Sequence, residues 1–138
     1  KQTSPFNCGL AALAMLLSAG APKPVTLTSL SGLAVTLIAP TSLAHRDRGF
    51  SVSELQRLAA AYGQALTARW MTIDTLLNAS FPLVAWVQLG NLGHFTVVEG
   101  IDRGHVLVAD PTRGYVSLDL DDWQRIWLQG NQGIALEL

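Results

Sequence analysis

The chain's one cysteine, Cys8, stands in the run Asn7-Cys8-Gly9-Leu10-Ala11-Ala12-Leu13-Ala14-Met15-Leu16-Leu17. Asparagine is a preferred N-cap and the alanine- and leucine-rich stretch after it is strongly helical, so a helix is expected to begin almost on Cys8. At a helix start the orphan backbone N–H groups and the macrodipole favour thiolate over thiol. Position alone leaves two readings open: an activated nucleophile, or a buried thiol that packs as a small hydrophobe.

A nucleophilic thiol needs a base, an orienter for that base and a donor for the developing oxyanion. The segments His94-Phe-Thr-Val-Val-Glu-Gly-Ile101 and Val106-Leu-Val-Ala-Asp110 flank a turn at Asp102-Arg103-Gly104 and read as a β-hairpin. A three-residue loop sets Ile101 opposite His105 and position 96 opposite position 110, leaving His94 one diagonal step from Asp110 on the same face. Diagonal neighbours lie ~7–8 Å apart between backbones, within reach of an imidazole–carboxylate hydrogen bond. The carboxylate would then fix the imidazole tautomer and stabilise the imidazolium. Taken alone, His94 reads more readily as a strand-end histidine and Asp110 as a turn opener before Pro111. Gln2, six residues before Cys8, is close enough for its amide to fold back beside the thiol as an oxyanion donor; the alternative is a solvated side chain near a chain end.

The other histidines fit less well. His105 belongs to the hairpin tip, ~25 Å along the strand from His94 at ~3.3 Å per residue. His45 lies in the polar stretch from Ala39 to Phe50, which reads as a surface loop.

The elements that must position these groups follow from pattern. The first helix is stopped by Gly20, Pro22 and Pro24. A second helix is expected around Thr28 to Val35. Ser51-Val-Ser-Glu54 forms a capping-box pattern before Leu55, Leu58, Ala59 and Tyr62, predicting a helix from Val52 to Tyr62 closed by Gly63. Short β-type runs follow at Ala65 to Trp70, Pro82 to Leu89, His94 to Ile101, Val106 to Ala109, Tyr115 to Leu118 and Gly133 to Leu138. Helical pieces at Ile73 to Asn78 and Asp119 to Trp127 interrupt them. Helices first and a mostly antiparallel sheet afterwards is the α+β pattern.

Composition narrows the classes. A length of 138 residues suits one domain, residues 1–138, with a core of its own. Hydrophobic residues make up 49% and charged residues 14%, yet no uninterrupted apolar run approaches the ~18 residues of a membrane span. A net charge of −1 with scattered arginines argues against nucleic acid or anionic lipid as partner. A lone cysteine excludes an internal disulfide framework and Cys-x-x-Cys motifs. Metal binding by Cys8, His94 and Asp110 is a poor fit, since no two of them lie at short helical or knuckle spacing. No cofactor is implied. The chain begins with Lys1 rather than Met, which implies that a segment upstream has been removed.

Read in order, the pieces are Gln2 six before Cys8, Cys8-Gly-Leu-Ala-Ala-Leu-Ala-Met, Gly49-Phe-Ser-Val-Ser-Glu-Leu, His94-Phe-Thr-Val-Val-Glu-Gly-Ile, Ala109-Asp-Pro-Thr-Arg-Gly114, and a closing helix with Trp123 and Trp127. In this the chain resembles the bacteriocin-processing cysteine peptidases, a papain-like family that trims double-glycine leader peptides. The resemblance implies N-terminal helices packed on a mostly antiparallel sheet, with Cys8 as nucleophile, His94 as general base and acid, Asp110 as orienter and Gln2 as oxyanion donor. It implies a peptide or protein substrate cut after small residues, with secretion-system components as further partners. A narrow groove walled by bulky side chains would suit such a substrate; Trp70, Trp86 and Phe95 are candidates for its walls, or else plain core. The Arg48-Gly49-Phe50-Ser51 version of the middle motif looks more like stand-alone, exported members, among them the peptidase of the functional-amyloid secretion system, which favours the periplasm over the cytoplasmic face of an exporter. Two alternatives keep the fold and change the function: a domain that binds a secretion substrate without cutting it, and a papain-like transamidase.

Overall fold

The structure is a computed structural model. It describes the backbone of residues 8–20, 25–38, 51–90, 92–110 and 113–138, and the side chains there except at 8, 20, 27 and 34–38. Gln2, Asn7 and the segment 39–50 with His45 lie outside the described residues. Three helices lead: α1 (Cys8–Gly20), α2 (Leu27–Ile38) and α3 (Val52–Ala61). There follow β1 (Thr67–Met71), α4 (Ile73–Leu77), β2 (Leu83–Leu89), β3 (Leu92–Asp102), β4 (His105–Asp110), β5 (Gly114–Asp119), α5 (Leu120–Trp127) and β6 (Gly133–Glu137). The six strands form one sheet in the order β1-β6-β2-β3-β4-β5, every neighbouring pair antiparallel. This is the α+β arrangement expected, with element ends at most three residues from their expected places.

Local chemistry explains the helix starts. Ser51 Oγ accepts from Glu54 N–H at 3.2 Å while Glu54 Oε1 accepts from Ser51 N–H at 2.8 Å, so the capping box is formed from both sides. Leu55, Leu58 and Ala59 are buried as their spacing predicts, but Tyr62 falls at the C-cap and is exposed. Asp119 caps α5 by accepting from Asp122 N–H at 2.8 Å.

The sheet has helices on both faces. Helix α1 is apolar all round, which suits only a buried helix: Leu10, Leu13, Leu16 and Leu17 are buried with Leu30 of α2, Leu55 and Leu58 of α3, and Val84, Phe95, Val97 and Ala109 of the sheet. The opposite face carries Val87, Val98, Val106 and Val108 against Trp123 and Trp127 of α5. Those two rings stack at 5.7 Å between centroids, and Trp127 Nε1–H donates to Ile134 O at 3.0 Å.

The β3–β4 hairpin reaches the expected register by a different route. Its loop has two residues, not three: Asp102 pairs with His105 across Arg103 and Gly104, which have φ of 52° and 78°. Positive φ at both central residues is the turn whose twist matches the strands, and Gly104 adopts it without steric cost. Ile101 therefore faces Val106, not His105. Between Val98 and Gly100 the ladder shifts, with Glu99 as the extra residue, and beyond it Val97 faces Ala109. The bulge restores the residue that the shorter turn removes, so Thr96 comes beside Asp110 after all.

Candidate active site

Strand β3 enters from the end where β2 leaves, and Val87 pairs with His94. Alternation along β3 gives His94, Thr96 and Val98 one face, and the β4 register brings the last residue of that strand, Asp110, to the same place. His94 Nε2 lies 2.8 Å from Asp110 Oδ2, with the two side chains 11% and 6% exposed. At that burial the contact is a fixed, desolvated hydrogen bond rather than a surface ion pair. An ionised carboxylate only accepts, so the bond assigns the proton to Nε2 and makes Nδ1 the nitrogen that exchanges a proton with a reacting group.

Asp110 is itself held. Thr96 Oγ1–H donates to Oδ2 at 3.0 Å and the backbone N–H of Arg113 donates to Oδ1 at 2.9 Å. With the imidazole, these donors converge on one carboxylate and engage both of its oxygens. A cavity of about 20 Å³ backs the group on the α5 side, lined by Thr96, Asp110, Arg113, Val108, Trp123 and Ile126.

Helix α1 starts at Cys8, as its sequence predicts. The next residue fixes where that start lies: a Cβ on Gly9 would be 3.3 Å from Phe95 and 3.5 Å from Leu55. Gly9 thus packs on the residue after His94, and the backbone carries residue 8 to the end of the sheet where His94 and Asp110 meet. The structure joins the expected base and orienter directly and brings the helix start of the expected nucleophile to the same end. Gln2 lies outside the described residues.

The candidate wall residues separate. A Cβ on Gly93 would collide with the indole of Trp86, so the ring of Trp86 lies against the backbone just before His94, a close approach only glycine permits. Trp86 is half-buried and pairs with Phe95, itself 6% exposed core. Trp70 stands on β1, with β6 and β2 between it and β3, and is 53% exposed, so it does not wall the region of His94. His105 is exposed at the hairpin tip, where its Nδ1 bonds to Arg103 O at 3.2 Å. Sequence reasoning missed Thr96 and the Arg113 N–H. The one signal for Thr96 was its place two residues after His94 on the same face of the strand.

The model of the Peptidase C39 family matches residues 1–136. The chain belongs to the Peptidase C39 family. It is 30% identical over 128 residues to the probable functional amyloid protease FapD of Pseudomonas fluorescens and 24% identical over 133 residues to its namesake in Pseudomonas aeruginosa. Each match covers 92% of this chain and 55% of the relative, so the chain spans about half the length of the curated relatives it matches. In fold it is similar to a double-glycine-motif protease from an AMS/PCAT transporter, solved with its leader peptide, at a TM-score of 0.74 and 23% identity over 99% of this chain and 86% of the other. The peptidase domain of Streptococcus ComA, a bifunctional ABC transporter of a quorum-sensing pathway, superposes with a TM-score of 0.73 and 20% identity, covering 98% and 92% of the two chains. Helices packed on a six-stranded antiparallel sheet are therefore the fold of this C39 chain. No helix among the described residues is long and apolar enough to cross a membrane.

Proposed function

We propose that this chain is a papain-like cysteine peptidase domain that cuts a peptide or protein substrate after small residues of the Gly-Gly type, in a bacterial secretion or maturation pathway, and that it works in the periplasm. The observation that carries the reading is the buried 2.8 Å bond from His94 to Asp110 at the end of the sheet to which α1 brings residue 8. In the proposed mechanism Cys8 gives its proton to His94 Nδ1 and its sulfur attacks the scissile carbonyl. The Cys8 backbone N–H and the Gln2 amide hold the oxyanion. His94 then protonates the leaving amine and, as base, activates the water that releases the acyl-enzyme. Asp110 keeps the Nε2 proton in place throughout. The relatives named as probable functional amyloid proteases support a functional-amyloid protein as the substrate class, and the periplasmic placement rests on the Arg48-Gly49-Phe50-Ser51 motif of the sequence.

The test is mass spectrometry of peptides carrying Gly-Gly, Ala-Gly or Leu-Leu before a common sequence, incubated with wild type and Cys8→Ala. Cleavage after the small pairs by wild type alone is expected. Equal cleavage by both proteins sinks the reading, and product formed only with an added amine transfers it to a transamidase.

A further inference from the structure

We propose that Thr96 is a positioning residue of this site, its hydroxyl fixing the Asp110 oxygen that orients His94; the inference rests on the peptidase reading of Cys8 and His94. Thr96 is 2% exposed, and its Oγ1–H donates at 3.0 Å to Asp110 Oδ2, the same atom that accepts His94 Nε2–H at 2.8 Å. Its neighbours along β3 are Val97 and Val98, buried at 2% and 0%, and a third valine would fill the same space. The hydroxyl is thus the one feature packing does not demand. A buried hydroxyl is kept at no cost only where it has a partner, and here the partner is the orienting carboxylate.

Geometry says what the bond does. Arg113 N–H holds Oδ1, and Thr96 holds the oxygen that also receives the imidazole, so both oxygens of the carboxylate are gripped. A cavity of about 20 Å³ adjoins both Asp110 and Thr96, space into which Oδ2 can shift once the hydroxyl is removed. With Thr96 and His94 converging on Oδ2, the lone pairs that receive the imidazole are fixed, and with them the direction in which Nδ1 points. Thr96 touches no reacting atom; it acts through Asp110.

The experiment reads the thiol itself and needs no known substrate. Cys8 is the only cysteine, so carboxamidomethylation by iodoacetamide, followed by intact mass across a pH series, reports its thiolate. Loss of the hydroxyl releases the orientation of Oδ2 towards the imidazolium and so loosens their hydrogen bond, and the imidazolium in turn supports the thiolate. Thr96→Val is therefore expected to move the acid limb of the alkylation profile up by about half to one pH unit, a fraction of what one charge-assisted hydrogen bond could supply. Thr96→Ser, which restores the donor, is expected to return the limb to within about 0.2 unit of wild type, with both variants melting within a few degrees of it. A Thr96→Val profile superimposed on wild type overturns the proposal, as does an equal shift in Val and Ser variants, which would mark a packing role. Should Thr96→Val not fold, Thr96→Ala gives the same comparison without a methyl beside the carboxylate. The peptidase reading fails separately: Cys8→Ala that still cuts removes the nucleophile but leaves the alkylation profile as a measure of Thr96.

Discussion

The β3–β4 hairpin carries a histidine and an aspartate at each of its ends, and they behave differently. At the tip, Asp102 and His105 are direct cross-strand partners, both exposed, and the imidazole bonds to Arg103 O. At the open end, His94 and Asp110 are buried, 2.8 Å apart, and the carboxylate is gripped by Thr96 and Arg113 as well. Residue types are alike; the pairing is direct at the tip and diagonal at the open end, and burial and the extra donors are found only there. A histidine beside an aspartate becomes a candidate base when water is excluded and the carboxylate has one orientation. In water the same pair gains little.

The sharpest way to break the comparison is to delete each imidazole in turn. His94→Ala is expected to lower kcat/KM for a Gly-Gly peptide by about 10²–10⁴-fold, the usual contribution of a general acid–base. His105→Ala is expected to stay within about twofold, since it removes an exposed side chain with one local bond. Comparable losses from the two would mean that the buried end has no special role.

The second break is at the carboxylates. Asp110→Asn turns one acceptor oxygen into an amide that faces a donor, either the Thr96–His94 side or Arg113 N–H. Leaving a buried donor without an acceptor is expected to cost about 1–3 kcal/mol of stability in urea unfolding, and to slow Cys8 alkylation at neutral pH by about 10-fold or more. Asp102→Asn, at the exposed tip, is expected to change stability by less than about 0.5 kcal/mol. If the two substitutions prove equally mild, the grip on Asp110 has no energetic weight.

These contrasts also show what the sequence made legible. Cys8, His94 and Asp110 stood out because each combined a reactive type with a readable local context: a helix start, a strand end, an Asp-Pro turn. The helix from Val52 was equally plain, since Ser51 and Glu54 announce a capping box that needs no tertiary help to form. Thr96 was hidden because a threonine in a strand needs no explanation by itself; its meaning lies in an oxygen fourteen residues away. Trp70 and Trp86 looked interchangeable as walls, and only the strand order, which puts β6 and β2 between β1 and β3, tells them apart. Non-local pairing is where sequence pattern carries least, because one residue more or less in a loop moves every partner.

That sensitivity gives the finest test of the comparison. Glu99 has no cross-strand partner: Val98 faces Val108 on one side of it and Gly100 faces Leu107 on the other. Deleting Glu99 therefore joins two stretches already in register and leaves Val98 opposite Val108, with Thr96 still beside Asp110. A regular hairpin should replace the bulged one, and Cys8 alkylation at neutral pH is expected to stay within about threefold of wild type, because the extra residue alters twist rather than pairing. An insertion between Val108 and Ala109 is the counterpart. It displaces Asp110 by one position, turns its side chain to the face of α1 and is expected to abolish the enhanced reactivity. If the deletion is as damaging as the insertion, the bulge sets more than register, and the route by which the two-residue turn delivers Asp110 to His94 must be redrawn.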